Sequence, residues 1–129
     1  MSEKNVILLV EDDPLMVRMY QRKFEADGYA VILGSDGEKA LEAMRTGPKP
    51  NIILLDVMMP RMDGFQFLEV VKRNPEYADI PVILLTNISG ERGHIEKGMA
   101  LGATAYLVKS RYTPKQVVEK VEAILRAAA

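Results

Sequence analysis

The sequence contains no cysteine and a single histidine, His94. Without cysteine there is no disulfide, no thiolate nucleophile and no zinc–thiolate site. One histidine leaves no partner for a histidine-based metal cage or a serine triad. Long apolar runs are also missing: none approaches the roughly 20 residues that span a bilayer, and the opening residues do not read as a signal peptide. The chain is therefore expected in the cytoplasm, without membrane contact. Charge of neither sign dominates, with 17 Lys and Arg against 18 Asp and Glu. The basic residues are scattered, so no direct nucleic-acid surface is expected. What remains is ordinary for a globular chain: 129 residues, 48% apolar and 27% charged. That is one domain, 1–129, with room for a real core and no output domain expected after Arg126.

Short apolar runs alternate with helical periodicity. Val6 to Val10 reads as a buried strand, and Asp13 followed by Pro14 starts a helix. Met16, Tyr20 and Phe24 share one face of it, with Leu15 and Met19 beside them, and Gly28 stops it. Tyr29 to Leu33 is a second strand. Ser35 and Glu38 form a capping box for a helix burying Ala40, Leu41 and Met44, which ends at Gly47 and Pro48. Ile52 to Leu55 is an unbroken apolar run, too short for a helix, and reads as a central strand buried on both faces. Asp63 and Gln66 then cap a helix burying Phe65, Leu68 and Val71, which stops at Asn74 before Pro75. Pro81 to Thr86 is a fourth strand. Ser89 is the expected cap of the next helix, which carries Gly90, Gly93 and Gly98 and should be the least stable. Ala103 to Val108 is the fifth strand. Thr113 and Gln116 box the start of a closing helix whose inner face is Val117, Val121, Ile124 and Leu125. This alternation predicts an α/β fold: a doubly wound, five-stranded parallel sheet with helices on both faces.

The residues after each strand are Glu11 and Asp12, then Gly34 and Ser35, then Asp56, Thr86 and Lys109. In a parallel sheet all strand ends lie on one edge. Only the second carries nothing of consequence, which places that strand outermost, in the order 2-1-3-4-5 of the flavodoxin-like sheets. Three crowded carboxylates cannot all stay ionised without a cation. Oxygen ligands without histidine or sulfur favour Mg²⁺. An Asp nucleophile, a metal, a lysine and a hydroxyl are the parts required for an aspartyl phosphate.

These residues resemble the two-component response-regulator receiver family, of the stand-alone, chemotaxis-receiver type. Glu11, Asp12, Asp13 and Pro14 are similar to its acidic pair, and Leu55 to Gly64 to its phosphoacceptor segment. Pro81 to Thr86 and Gly102 to Lys109 match its later motifs in order. The resemblance implies a phosphorelay switch with Asp56 as phosphoacceptor. It implies Mg²⁺ held by Asp12, Asp56 and the Met58 backbone carbonyl, with Glu11 acting mostly through a metal-bound water. Thr86 and Lys109 would grip the phosphoryl group, with Thr86 and Tyr106 as the switch pair. The donor would be a histidine kinase or a histidine phosphotransfer protein, and the signal would pass to a downstream protein through a surface change. No enzymatic activity beyond self-phosphorylation and self-dephosphorylation is implied. His94 is expected to be exposed and to carry no phosphoryl group.

Two positions depart from the family pattern. Serine, Ser110, follows Lys109 where the family usually has proline, so a trans bond is expected there. Asn87 follows Thr86 where a small residue is usual. Two other readings exist: a constitutive receiver-fold scaffold without phosphorylation, and a Mg²⁺-dependent phosphohydrolase. The latter chemistry commonly wants a second carboxylate two residues after the nucleophile, and that position is Met58.

Overall fold

The computed structural model describes residues 5–59, 62–87 and 92–128, Arg92 by its backbone only. Five strands alternate with five helices. The order is β1 (Val6–Val10), α1 (Pro14–Ala26), β2 (Ala30–Gly34), α2 (Gly37–Thr46), β3 (Ile52–Leu55), α3 (Gly64–Arg73), β4 (Val82–Thr86), α4 (Arg92–Ala100), β5 (Ala105–Val108) and α5 (Pro114–Ala128), with a 3₁₀ turn at Lys109–Arg111. The strands are all parallel, in the order β2-β1-β3-β4-β5 of the flavodoxin-like sheets, with β2 outermost as the strand-end residues predicted.

Strand parity explains the unbroken apolar runs. Successive side chains point to opposite faces. Leu8, Val10, Ile53, Leu55, Val82 and Leu84 build one core with Ala40, Met44, Phe67, Leu68 and Val71. Ile7, Leu9, Ile52, Leu54, Ile83 and Leu85 build the other with Tyr20, Phe24, Val117 and Val121. A central strand therefore needs an apolar residue at every position. A one-residue slip would exchange every side chain between the two cores, so the register is strongly specified. On the outermost strand, β2, that demand lapses: Leu33 is 42% exposed.

Most of the predicted punctuation is present. Asp13 Oδ1 accepts from the Leu15 N–H at 3.0 Å. The Asp63/Gln66 box closes with two bonds of 2.9 Å, and the Thr113/Gln116 box with bonds of 2.8 and 3.2 Å. Helices α1 and α4 end alike. Gly28 and Gly102 take positive φ, +92° and +104°, so the next N–H reaches back to the Phe24 and Gly98 carbonyls at 3.0 and 3.1 Å. Tyr29, just past the first of these ends, packs edge-on against Phe24.

Four local expectations are corrected. The cap of α2 is Asp36, not Ser35: the chain stays extended at Asp36, and its carboxylate accepts from the Lys39 N–H at 2.9 Å. Leu15 and Met19 stand outside the core, 71% and 37% exposed, because the buried stripe of α1 is narrowed to Tyr20 and Phe24. β2 starts at Ala30 rather than Tyr29, and β5 at Ala105 rather than Ala103, because the helix ends at Gly28 and Gly102 consume the residue that follows. Ser89 and Gly90, the expected cap and first glycine of α4, lie outside the described residues.

Gly64 and Gly93 should respond oppositely to alanine. A Cβ at Gly64 would lie 2.4 Å from the Asp56 carbonyl oxygen and 2.7 Å from Val57 Cα, backbone that cannot yield, whereas one at Gly93 meets nothing within 4 Å. Gly64→Ala is expected to destabilise by about 1–3 kcal/mol or more, and Gly93→Ala to stabilise by up to about 1 kcal/mol. Chemical denaturation of the two variants checks both signs.

Candidate functional site

The strand ends converge as the order requires. The Asp56 N–H donates to the Val10 carbonyl at 2.9 Å and the Glu11 N–H to the Gly34 carbonyl at 3.1 Å, so β1 and β3 finish level. This sets Glu11, Asp12 and Asp56 together, with one carboxylate oxygen from each within 4.8 Å of the others. Asp56 is 6% exposed and Glu11 3%, while Asp12 faces solvent. They line a cleft of about 450 Å³ with Asp13, Met58, Asn87 and Lys109. A larger cleft, about 760 Å³, lies at the opposite strand ends, where Lys49 and Asp79 already pair at 3.2 Å. It gathers no comparable group of carboxylates.

Lys109 is the buried cation of the site. Its Nζ donates to Glu11 Oε1 and lies 3.6 Å from Asp56 Oδ2, with only 6% of the side chain exposed. The tighter partner is thus Glu11, a pairing that the sequence reading did not single out. The other Glu11 oxygen accepts from the Asp13 N–H at 3.2 Å, so Asp13 serves the site through its backbone as well as capping α1. Asp56 Oδ1 accepts from the Met58 N–H at 3.2 Å. Burial is the largest influence on the Asp56 carboxyl, and the Glu11 carboxylate adds to it. Lys109 and the Met58 N–H oppose them incompletely, and its pKa is pushed up from 3.8 to about 7.

Thr86 is fully buried at the end of β4. Tyr106 is half-buried on β5, in register with Leu84, and so on the same sheet face as Thr86. No cis peptide occurs among the described residues. After Lys109 the chain instead takes one 3₁₀ turn, with the Tyr112 N–H returning to the Lys109 carbonyl at 3.4 Å.

His94 is not exposed as expected. It is half-buried, its ring stacked on Phe65 with centroids 6.0 Å apart, and Lys97 lies 4.7 Å from the same ring. With Val57, Met58, Met59 and Asp63 these side chains line a second pocket of about 340 Å³ beside the carboxylates. No spacing rule links Phe65 to His94 and Lys97, which is why sequence reasoning missed the cluster.

The response regulator receiver domain family matches residues 7–122. The chain is 38% identical over 120 residues to the alkaline phosphatase synthesis transcriptional regulatory protein PhoP of Bacillus subtilis, covering 93% of this chain and 48% of PhoP. It is 33% identical over 124 residues to the probable transcriptional regulator ycf27 of Porphyridium aerugineum, covering 96% of this chain and 49% of that protein. It thus spans about half the length of these curated relatives. Among solved structures, the chemotaxis response regulator CheY4 of Vibrio cholerae superposes with a TM-score of 0.85 at 29% identity, covering 95% of this chain and 99% of that one. Profile, relatives and fold agree with the strand-end chemistry: this chain belongs to the response regulator receiver domain family of two-component signalling.

Proposed function

We propose that the chain is a phosphoacceptor switch in which Asp56 takes a phosphoryl group from the phosphohistidine of a histidine kinase or a histidine phosphotransfer protein. The observation that carries this reading is the placement of a nearly buried Asp56 between two further carboxylates and a buried lysine. An Asp56 carboxylate oxygen attacks phosphorus, the new O–P bond replaces the N–P bond, and the donor imidazole leaves with the bonding electrons. Attack requires the ionised carboxylate. Met58 N–H orients it, and Lys109, shared between Asp56 and Glu11, is in reach of the incoming oxygens. Thr86 ends the neighbouring strand with a hydroxyl for the same oxygens, and its burial makes any movement felt on the face it shares with Tyr106.

The donor set fits a hard divalent cation: carboxylate oxygens within 4.8 Å of one another, and neither sulfur nor imidazole among them. Mg²⁺ is the ion we infer, held by Asp12, Asp56 and the Met58 carbonyl, with Glu11 behind them. When bound it neutralises the oxygens of the arriving group. Residues 1–129 would act as one receiver unit. Its signal would pass to a downstream protein by a surface change, with no direct nucleic-acid or membrane contact.

The direct test is incubation with Mg²⁺ and a small phosphodonor, followed by intact-mass measurement. Wild type is expected to gain one phosphoryl mass only when Mg²⁺ is present, and Asp56→Asn none. Equal labelling of the variant at another residue would overturn the assignment.

The raised pKa of Asp56 carries a stability consequence. A carboxyl held at about 7 in the folded chain but 3.8 unfolded binds its proton more tightly when folded. Its ionisation therefore costs stability. The cost is absent below about pH 4, grows between 4 and 7, and is complete above 7. At about 1.36 kcal/mol per unit the ceiling is roughly 4 kcal/mol, so Asp56→Asn should stabilise the metal-free protein at pH 8 by about 1–3 kcal/mol and much less at pH 4. Mg²⁺ binds the folded state and should raise wild-type Tm, adding about 2.7 kcal/mol of stability at a hundredfold excess over Kd. Asp12→Asn should lose most of that shift. Thermal melts at the two pH values, with and without Mg²⁺, check the set, and a lower Tm for metal-free Asp56→Asn at pH 8 would contradict it.

A further inference from the structure

We propose that Met58 is a peroxide-reactive site at the mouth of the carboxylate cleft, and that its oxidation shortens the life of the phosphoryl group on Asp56. Met58 is 63% exposed, against 44% for Met99 and 37% for Met19, while Met59 and Met44 are buried at 9% and 3%. Among the described methionines it alone lines both the cleft of Glu11, Asp12 and Asp56 and the adjoining pocket of Phe65 and His94. Its backbone is tied to the site, because the Met58 N–H donates to Asp56 Oδ1. A thioether projecting from that backbone is held at the lip while remaining open to water.

The chemistry is a two-electron oxidation by hydrogen peroxide. A sulfur lone pair attacks one peroxide oxygen and the O–O bond breaks. The sulfur is oxidised to the sulfoxide, the peroxide is reduced, and the displaced oxygen leaves as water after proton transfer. The product differs from the thioether in one respect that matters here. Thioether sulfur is a weak acceptor, whereas the sulfoxide oxygen is polar and accepts strongly. At the lip it would hold and orient water beside a phosphoryl group, where unmodified Met58 offers only an apolar wall. Hydrolysis is the reaction that gains. The kinetic half of this inference rests on the phosphoacceptor reading of Asp56; the selectivity of oxidation does not.

The experiment has two readouts. Wild type is exposed to dilute hydrogen peroxide, quenched, digested and mapped by mass spectrometry, giving an oxidation rate for each methionine. Met58 is expected to oxidise several-fold faster than Met59 and Met44, and ahead of Met99 and Met19. Peroxide-treated and untreated protein are then phosphorylated, and loss of the phosphoryl mass is followed after donor removal. Treatment is expected to shorten the half-life several-fold in wild type and to leave that of Met58→Leu the same as before treatment. Met58→Gln, a polar mimic, should resemble oxidised wild type. An oxidation rate at Met58 no greater than at Met59 overturns the site. Selective oxidation with an unchanged half-life, or an equal change in treated Met58→Leu, overturns the consequence. Met58-selective oxidation in a chain that takes no phosphoryl group would overturn the phosphoacceptor reading and the kinetic half together, leaving the oxidation site standing on its own masses.

Discussion

Crowding of like charge in a dry corner is the constraint on which the rest depends. Glu11 and Asp56 are nearly as buried as the leucines beneath them, and each stands on the last peptide of a strand whose other residues leave it no freedom to move away. Lys109 answers part of this, and answers Glu11 more closely than Asp56. The aspartate is left short of compensation, and its affinity for protons rises accordingly. A group with that appetite for positive charge also has it for a cation or for an electrophile. The metal site and the nucleophile proposed above would both draw on this one under-compensated carboxylate.

Much of this arrangement could be read from the chain because it rests on rules of period and position. Continuous apolar runs mark strands enclosed on both faces, and the inert residues after the second run mark its strand as the outer one. The three cap pairs led by Asp13, Asp63 and Thr113 each needed only a few neighbouring residues to recognise. Ser35 misled because it and Asp36 both suit a cap, and local spacing cannot say which residue stays extended. Leu15 and Met19 misled for a different reason. Helical periodicity reports the apolar stripe, but how much of it is covered depends on the neighbouring elements.

Contacts between residues far apart in sequence were the part hidden from such reading. The preference of Lys109 for Glu11, 98 residues away, follows from where the 3₁₀ turn sets the lysine, and no motif states it. The stacking of His94 on Phe65 is likewise a product of how α4 lies across the first turn of α3. In both cases the residue types were noticed, but their partners came only from the fold.

The ring of Phe65, in contact with an imidazole and an ammonium group, also bears on how α4 is mounted. Gly98 lies so close to the sheet that a Cβ there would meet Leu84 Cδ1 at 2.4 Å, so the helix rests there on its bare backbone. Through His94 and Lys97 it also contacts Phe65, in the first turn of α3. Ring stacking and cation–π attraction vary gently with displacement. Small shifts of the β3–α3 segment would therefore alter these two contacts gradually rather than abolish them at once.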